Sequence, residues 1–306
     1  MNHTVLAEGI GFTEGPLWTR DGRLLVVAMS RGCVLQVDLG GDGVVESIET
    51  GGGPNGLAEG PDGGVWVAQN AGAVRPSRSS RPVGAGLQRI DGRTIRDLPV
   101  PNALAPNDVA LGPDGRIWFT DPGLPGATSR GRVCALDPDS GQAAVLLGDL
   151  DFPNGLAFGS EGDVLYLART EEGRVTRHRW DGERLSEDGD LAATLPAGGP
   201  DGIALDVDGR LYAAAPAADA VFVFEPDGRL CRRLDFAEPT FPTNLCFAGP
   251  DLDRLVVTAA KGGRVVVLDG DVTPAPGLCP PWSPPHRPAR PEPPLAAADS
   301  GWRTAR

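Results

Sequence analysis

The chain has 306 residues, including 43 Gly and 30 Pro, and a formal net charge of −13. So acidic a chain, with Lys261 its one lysine, has no basic face for a phosphate backbone, which excludes nucleic acid as a partner. Cys33, Cys134, Cys231, Cys246 and Cys279 show no close spacing and His3, His178 and His286 are the only histidines, so a disulfide framework, a histidine-type zinc site and a Ser-His-Asp mechanism all lack their residues.

In chain order, residues 4–8 read first as a strand with no hairpin partner of their own. A repeated unit then begins. Each unit opens with a polar residue at the head of an apolar inner strand: EGPLW at 14–18, NGLAEG at 55–60, NDVALG at 107–112, NGLAFG at 154–159, DGIALD at 201–206 and NLCFAG at 244–249. Most inner strands run into a Gly turn, such as RDG at 20–22 or PDG at 113–115, the strongest short-range hairpin signal. Second strands follow (LLVVAM, VWVAQN, IWFTDP, LYLART, LYAAAP, LVVTAA), then third strands such as CVLQVDL at 33–39 and RVVVLDG at 264–270. The unit heads lie 41, 52, 47, 47 and 43 residues apart. A period in the forties with several short strands per unit predicts an all-β, six-bladed β-propeller with four-stranded blades.

The second unit carries an Arg- and Ser-rich insertion at 71–85, between its second and third strands. Strand signals stop at Gly270, before the sixth unit has a fourth strand. Residues 4–8 align with the outer strand that precedes the fourth unit: Val5 and Leu6 fall on Val145 and Leu146, and Phe12 falls on Phe152. The N-terminal strand is therefore expected to complete the last blade and close the ring, leaving no open edge. The propeller domain is assigned to residues 1–270. Residues 271–306 have too much Pro and too little apolar periodicity for a core, and read as a disordered or extended tail. No secretion signal opens the chain and no apolar run reaches transmembrane length. A cytoplasmic protein without a membrane partner, monomeric or weakly homo-oligomeric, is the expectation. GGGPNG at 51–56 fits a dinucleotide-loop pattern, but a strand follows it where that motif needs a helix.

If each head residue opens the innermost strand of its blade, Glu14, Asn55, Asn107, Asn154, Asp201 and Asn244 all point at one axis. A single Asn-Gly, as at Asn55 or Asn154, reads as a turn. Six polar residues at one repeat phase read differently. Two carboxylates and four amides, with no Lys or Arg at any equivalent position, make an oxygen cage, and oxygen cages hold hard cations. Buried carboxylates need compensation, and a divalent cation matches the charge of two.

Five stretches in order carry a family likeness: FTEGPLW, PNDVALGPDGRIWFTDP, FPNGLAFGSEGDVLYLART, GGPDGIALDVDGRLYAA and PTNLCFAGPDLDRLVVTAA. Over about residues 4–270 the chain resembles the gluconolactonase, regucalcin (senescence marker protein) and luciferin-regenerating enzyme family. The resemblance implies a divalent metal in the axial tunnel, Ca2+ first, with Zn2+, Mg2+ or Mn2+ as alternatives. It also implies hydrolysis of a small-molecule lactone, most often a sugar lactone. On the matching motifs it implies Glu14, Asn154 and Asp201 as metal ligands, with Asn107 contacting the metal or the substrate. Asp121, at the end of the third unit's second strand, and Asn55 are further candidates for substrate contact. Animal sugar-lactonase members carry an Arg two positions before the Asn of PND, where this chain has Ala105. That departure weighs against aldonolactone recognition of the same kind.

As a lactonase, the chain is expected to use Asp201 as the catalytic base that takes a proton from water, provided one of its oxygens stays off the metal. Asp108 is the alternative base. Three other readings stay open. One is hydrolysis of another ester or a phosphotriester at the same site. Another is a metal-free, strictosidine-synthase-like condensation. The third is a non-enzymatic binding propeller, whose polar residues would sit on outer loops.

Overall fold

The computed structural model describes residues 2–124, 130–188, 193–268 and 275–279. Six antiparallel sheets follow one another along the chain. In each, the second strand is apolar at nearly every position because both of its faces are covered. Leu24–Ala28 and Leu211–Ala215 are buried throughout. Outer strands meet solvent, and Val44–Glu49 is largely exposed. Blade four departs from four strands: Leu185–Glu187 and Ala193–Thr194 both pair with its third strand, Arg174–Trp180.

The sheets pack face to face around an axis, and an apolar layer fills every gap between neighbours. Between blades three and four, Trp118 meets Phe158 and Trp180 edge to face, with centroids 5.1 and 4.9 Å apart. The ring closes as the repeat predicts. His3–Ala7 pairs antiparallel with Arg264–Leu268, so the first strand of the chain is the outermost strand of the last blade. Its Leu6 is 2% exposed, in the layer between blades six and one.

The innermost strands converge at the axis, and four of the six begin with an irregularity. Register shifts fall between Glu14 and Leu17, Pro54 and Leu57, Pro153 and Leu156, and Pro242 and Asn244. Such bulges re-aim side chains and end the ladder. Neighbouring inner strands approach so closely there that only glycine fits. A β-carbon on Gly155 would lie 2.5 Å from the carbonyl oxygen of Asp201, and one on Gly15 or Gly56 would collide with the next blade in the same way.

Asn55 and Asn154 therefore do not sit in turns. They lie within the strands Pro54–Glu59 and Pro153–Phe158, and the glycine after each one serves close approach.

The opposite end of the axis is apolar. A cavity of about 280 Å³ lies there among Leu57, Leu111, Leu156, Phe158 and Leu278. Residues 275–279, assigned to the tail by composition, cross it: Gly277 bridges to Asp206, and Leu278 donates its N–H to the Leu205 carbonyl at 2.8 Å. The rest of the expected tail, 271–274 and 280–306, lies outside the described residues. Among the described residues no helix is long and apolar enough to cross a membrane.

Closure through the first strand gives a direct test. Leu6→Ala removes a fully packed side chain and is expected to cost about 2–5 kcal/mol, read as a shift in the denaturant midpoint. The same change at exposed Val5 is expected to cost less than about 1 kcal/mol.

Candidate metal centre

The polar heads of the repeat meet at the end of the axis remote from the apolar cavity. Glu14, Asn55, Asn107 and Asn154 are buried and Asp201 is half-buried. Backbone bonds link them around the ring: Gly56 donates to the Asn107 carbonyl at 2.7 Å and Gly155 to the Asp201 carbonyl at 3.1 Å.

The sixth position is shifted by one residue from the repeat phase read in the sequence. Gly202 donates to the carbonyl of Thr243 at 2.9 Å, as Gly155 does to Asp201. The pairing of Leu245 with Val257 likewise matches that of Leu156 with Leu167. Thr243 is thus the sixth member of the axial ring. Asn244 stands one residue further on, at the phase occupied by Gly15, Gly56, Gly155 and Gly202.

Asp108 shares that second phase with Asn244. The two parallel each other in detail: Asp108 and Asn244 both take a backbone donor bond to a threonine hydroxyl (Thr120 and Thr258, each 3.0 Å). Asp108 Oδ1 accepts from Val109 N–H at 3.0 Å, and Asn244 Oδ1 from Leu245 N–H at 2.8 Å. With its oxygen so engaged, the Asn244 amide donates to both Glu14 and Asp108. Asp108 is the carboxylate that sequence reasoning undervalued. The available signal was its position, where four other units have Gly.

Three carboxylates therefore share one buried site. Burial pushes Glu14 well above the ordinary carboxylate range, and the charges of Asp201 and Asp108 add to this. Burial also raises Asp201 to about 8, with Asp108 contributing, and Asp108 to about 7. The bonds that partly offset these shifts come from backbone N–H groups and from Asn154 and Asn244, not from a basic side chain.

Two amides complete the donor set. Asn55 Oδ1 is buried and has no hydrogen-bond partner. Asn154 Nδ2 donates to Thr170 Oγ1 at 3.1 Å, and that hydroxyl donates to the Pro200 carbonyl at 2.7 Å, which fixes the amide plane. Among the described residues no three His, Cys, Asp or Glu side chains converge closely enough to hold an ion unaided, so an ion placed here would also need amide oxygens. An all-oxygen set with excess negative charge and an orphaned amide oxygen fits a hard divalent cation.

Asp121 is placed differently. Its carboxylate is 1% exposed, pairs with Arg132 at 2.9 Å, and accepts the N–H groups of Leu104 (3.1 Å) and Ala105 (2.8 Å). It anchors the loop that leads to Asn107. His178 is buried in the third strand of blade four against Thr176 (2.9 Å).

Fold and site together define a closed six-bladed propeller with a cluster of carboxylate and amide side chains on its axis. Residues 12–261 match the SMP-30/Gluconolactonase/LRE-like region, and the chain belongs to that family. It is 26% identical over 293 residues to a gluconolactonase of Zymomonas mobilis, covering 84% of this chain and 78% of that protein. It is 32% identical over 168 residues to a pentonolactonase of Haloferax volcanii, covering 54% of each. In fold it is similar to a calcium-binding regucalcin of Agrobacterium tumefaciens, with a TM-score of 0.75 at 20% identity over 94% of this chain and 97% of that one.

The raised carboxylates predict a pH signature. An ordinary Asp titrates near 3.8, whereas Asp201 and Asp108 do so near 8 and 7 in the folded chain. The folded state then holds protons that the unfolded state has released. Their contribution to stability is complete below about pH 4 and is lost as pH rises toward 7 and 8. Chelator-treated protein is expected to lose thermal stability from about pH 5 to pH 8, and the gain in Tm from added Ca2+ is expected to widen over the same interval. A calcium effect independent of pH would contradict this reading.

Proposed function

We propose that this protein is a lactone hydrolase, acting on a small-molecule substrate in the axial pocket with a divalent, calcium-type cation. The observation that carries the proposal is the gathering of buried Glu14 and Asp108 with half-buried Asp201, none of them with a basic partner. The curated relatives named as lactonases support the reaction class. Glu14, Asn107, Asn154 and Asp201 would hold the cation. When bound, it supplies Lewis-acid polarisation of the lactone carbonyl.

The protein side chains do the rest. Asn107 orients the lactone. Asp201 takes a proton from the water that attacks the carbonyl carbon. The ring C–O bond then breaks, and the departing alkoxide takes a proton to give the hydroxy acid. A carboxylate beside a dication is a weakened base, so Asp201 acts through an oxygen not committed to the cation. A second reading makes Asp108 the base. It is adjacent to Asn107, is buried, and is not among the residues assigned to the cation.

A lactone panel assayed with Ca2+ and with chelator tests the proposal. Wild type is expected to be active only with the cation. Glu14→Gln is expected to lose bound metal by elemental analysis and activity together. Asp201→Asn is expected to lower kcat by about 10²–10⁴ if Asp201 is the base, and Asp108→Asn by that amount if Asp108 is. Wild-type activity that survives chelation would overturn the metal dependence.

A further inference from the structure

A second ring stands two residues before the axial one, at the mouth of the pocket. Its members are Phe12, Gly53, Ala105, Phe152, Gly199 and Phe241. The equivalence is structural. The carbonyls of Phe12, Gly53, Phe152 and Phe241 accept the N–H of Met29, Asn70, Thr170 and Ala260, in each case the residue just after the second strand of the same blade. Three blades thus carry phenylalanine at this phase and three a small residue. Phe12 is half-buried and packs against the apolar layer between blades one and two, which leaves Phe152 and Phe241.

Two of these phenylalanines sit in unfavourable backbone. Phe241 has φ +54° and is 43% exposed, and Phe152 has φ +39° and is half-buried. A left-handed conformation disfavours any residue with a β-carbon, and an exposed phenyl ring forgoes burial. Glycine at 152 or 241 would relieve both. Backbone geometry alone therefore does not call for Phe here, and strain retained at a pocket mouth points to a role in binding.

The surroundings share this apolar character. Phe12 meets Phe241 edge to face at 6.5 Å, and the Arg75 guanidinium, from the loop at 71–85, lies 4.5 Å over the Phe12 ring. Leu104 and Leu124 are exposed on the loops of blade three. Charged groups on this face are engaged with one another: Asp121 with Arg132, Arg130 with Asp149 and Asp151, and Glu172 with Arg169 and Arg174. Ala105 is fully buried and offers no polar group. A polyhydroxylated ring needs donors and acceptors matched to its hydroxyls, because each one desolvated without a partner costs affinity.

Resting on the lactone-hydrolase reading, we infer that Phe152 and Phe241 select a lactone bearing an apolar aromatic or alkyl substituent over a polyhydroxylated aldonolactone.

The test compares kcat/KM for a benzo-fused lactone, a γ-alkyl lactone and glucono-δ-lactone, all with Ca2+. Wild type is expected to favour the apolar lactones by at least about tenfold, the scale on which hydrophobic contacts discriminate. Phe152→Ala and Phe241→Gly are expected to lose at least about tenfold on them, mainly through KM. Because Gly suits φ +54°, Phe241→Gly is expected to keep or raise Tm. A wild-type preference for glucono-δ-lactone, or variants that keep full activity on apolar lactones, would overturn the inference and leave lactone hydrolysis standing. A lower Tm in Phe241→Gly would make Phe241 a packing residue and also count against it. Hydrolysis of no lactone at all would overturn the underlying reading instead.

Discussion

Six inner strands converging on one axis is the constraint from which the rest follows. Sheets packed face to face bring neighbouring backbones almost into contact at the strand heads. The glycines at 15, 56, 155 and 202 mark where a side chain would strike the next blade. With those positions emptied, the residue before each glycine is what fills the axis. Where the glycine is replaced, as at Asp108 and Asn244, a polar side chain joins the same space. The oxygen cluster is thus a product of packing geometry, and its chemistry comes from the few positions where the repeat is broken.

Electrostatics then makes the cluster unfavourable on its own. Glu14, Asp108 and Asp201 are held together out of water, and each is driven toward its neutral form. Amide donors from Asn154 and Asn244 relieve part of this, but they bring no charge. A cation bound there would relieve this repulsion and would compete with protons for the same carboxylate oxygens. The rigid hydrophobic layers between blades resist relaxation and so keep the carboxylates close.

The axis is also polarised along its length. One end is lined by carboxylates and amides under a mouth of phenylalanines. The other is an apolar cavity crossed by residues 275–279. The proposed chemistry belongs to one end, where strand bulges re-aim the side chains.

Blade number, strand order and ring closure were legible in the sequence because they depend on local pattern. Asp-Gly turns, apolar runs and the match of Val5 and Leu6 to Val145 and Leu146 are all short-range signals. Glu14, Asn55, Asn107, Asn154 and Asp201 were legible for the same reason, as heads of a repeat. Thr243 was legible too, because Phe241-Pro242-Thr243-Asn244-Leu245 lines up without a gap on Phe152-Pro153-Asn154-Gly155-Leu156, although Asn244 is the more conspicuous polar residue of the two. Asp108 became a site residue only through its distance from Glu14 and Asp201, which stand on other blades. The sequence by itself determined the architecture and the oxygen chemistry of the axis. Only the tertiary structure decided which oxygens share the pocket, since that depends on contacts between blades remote in the chain.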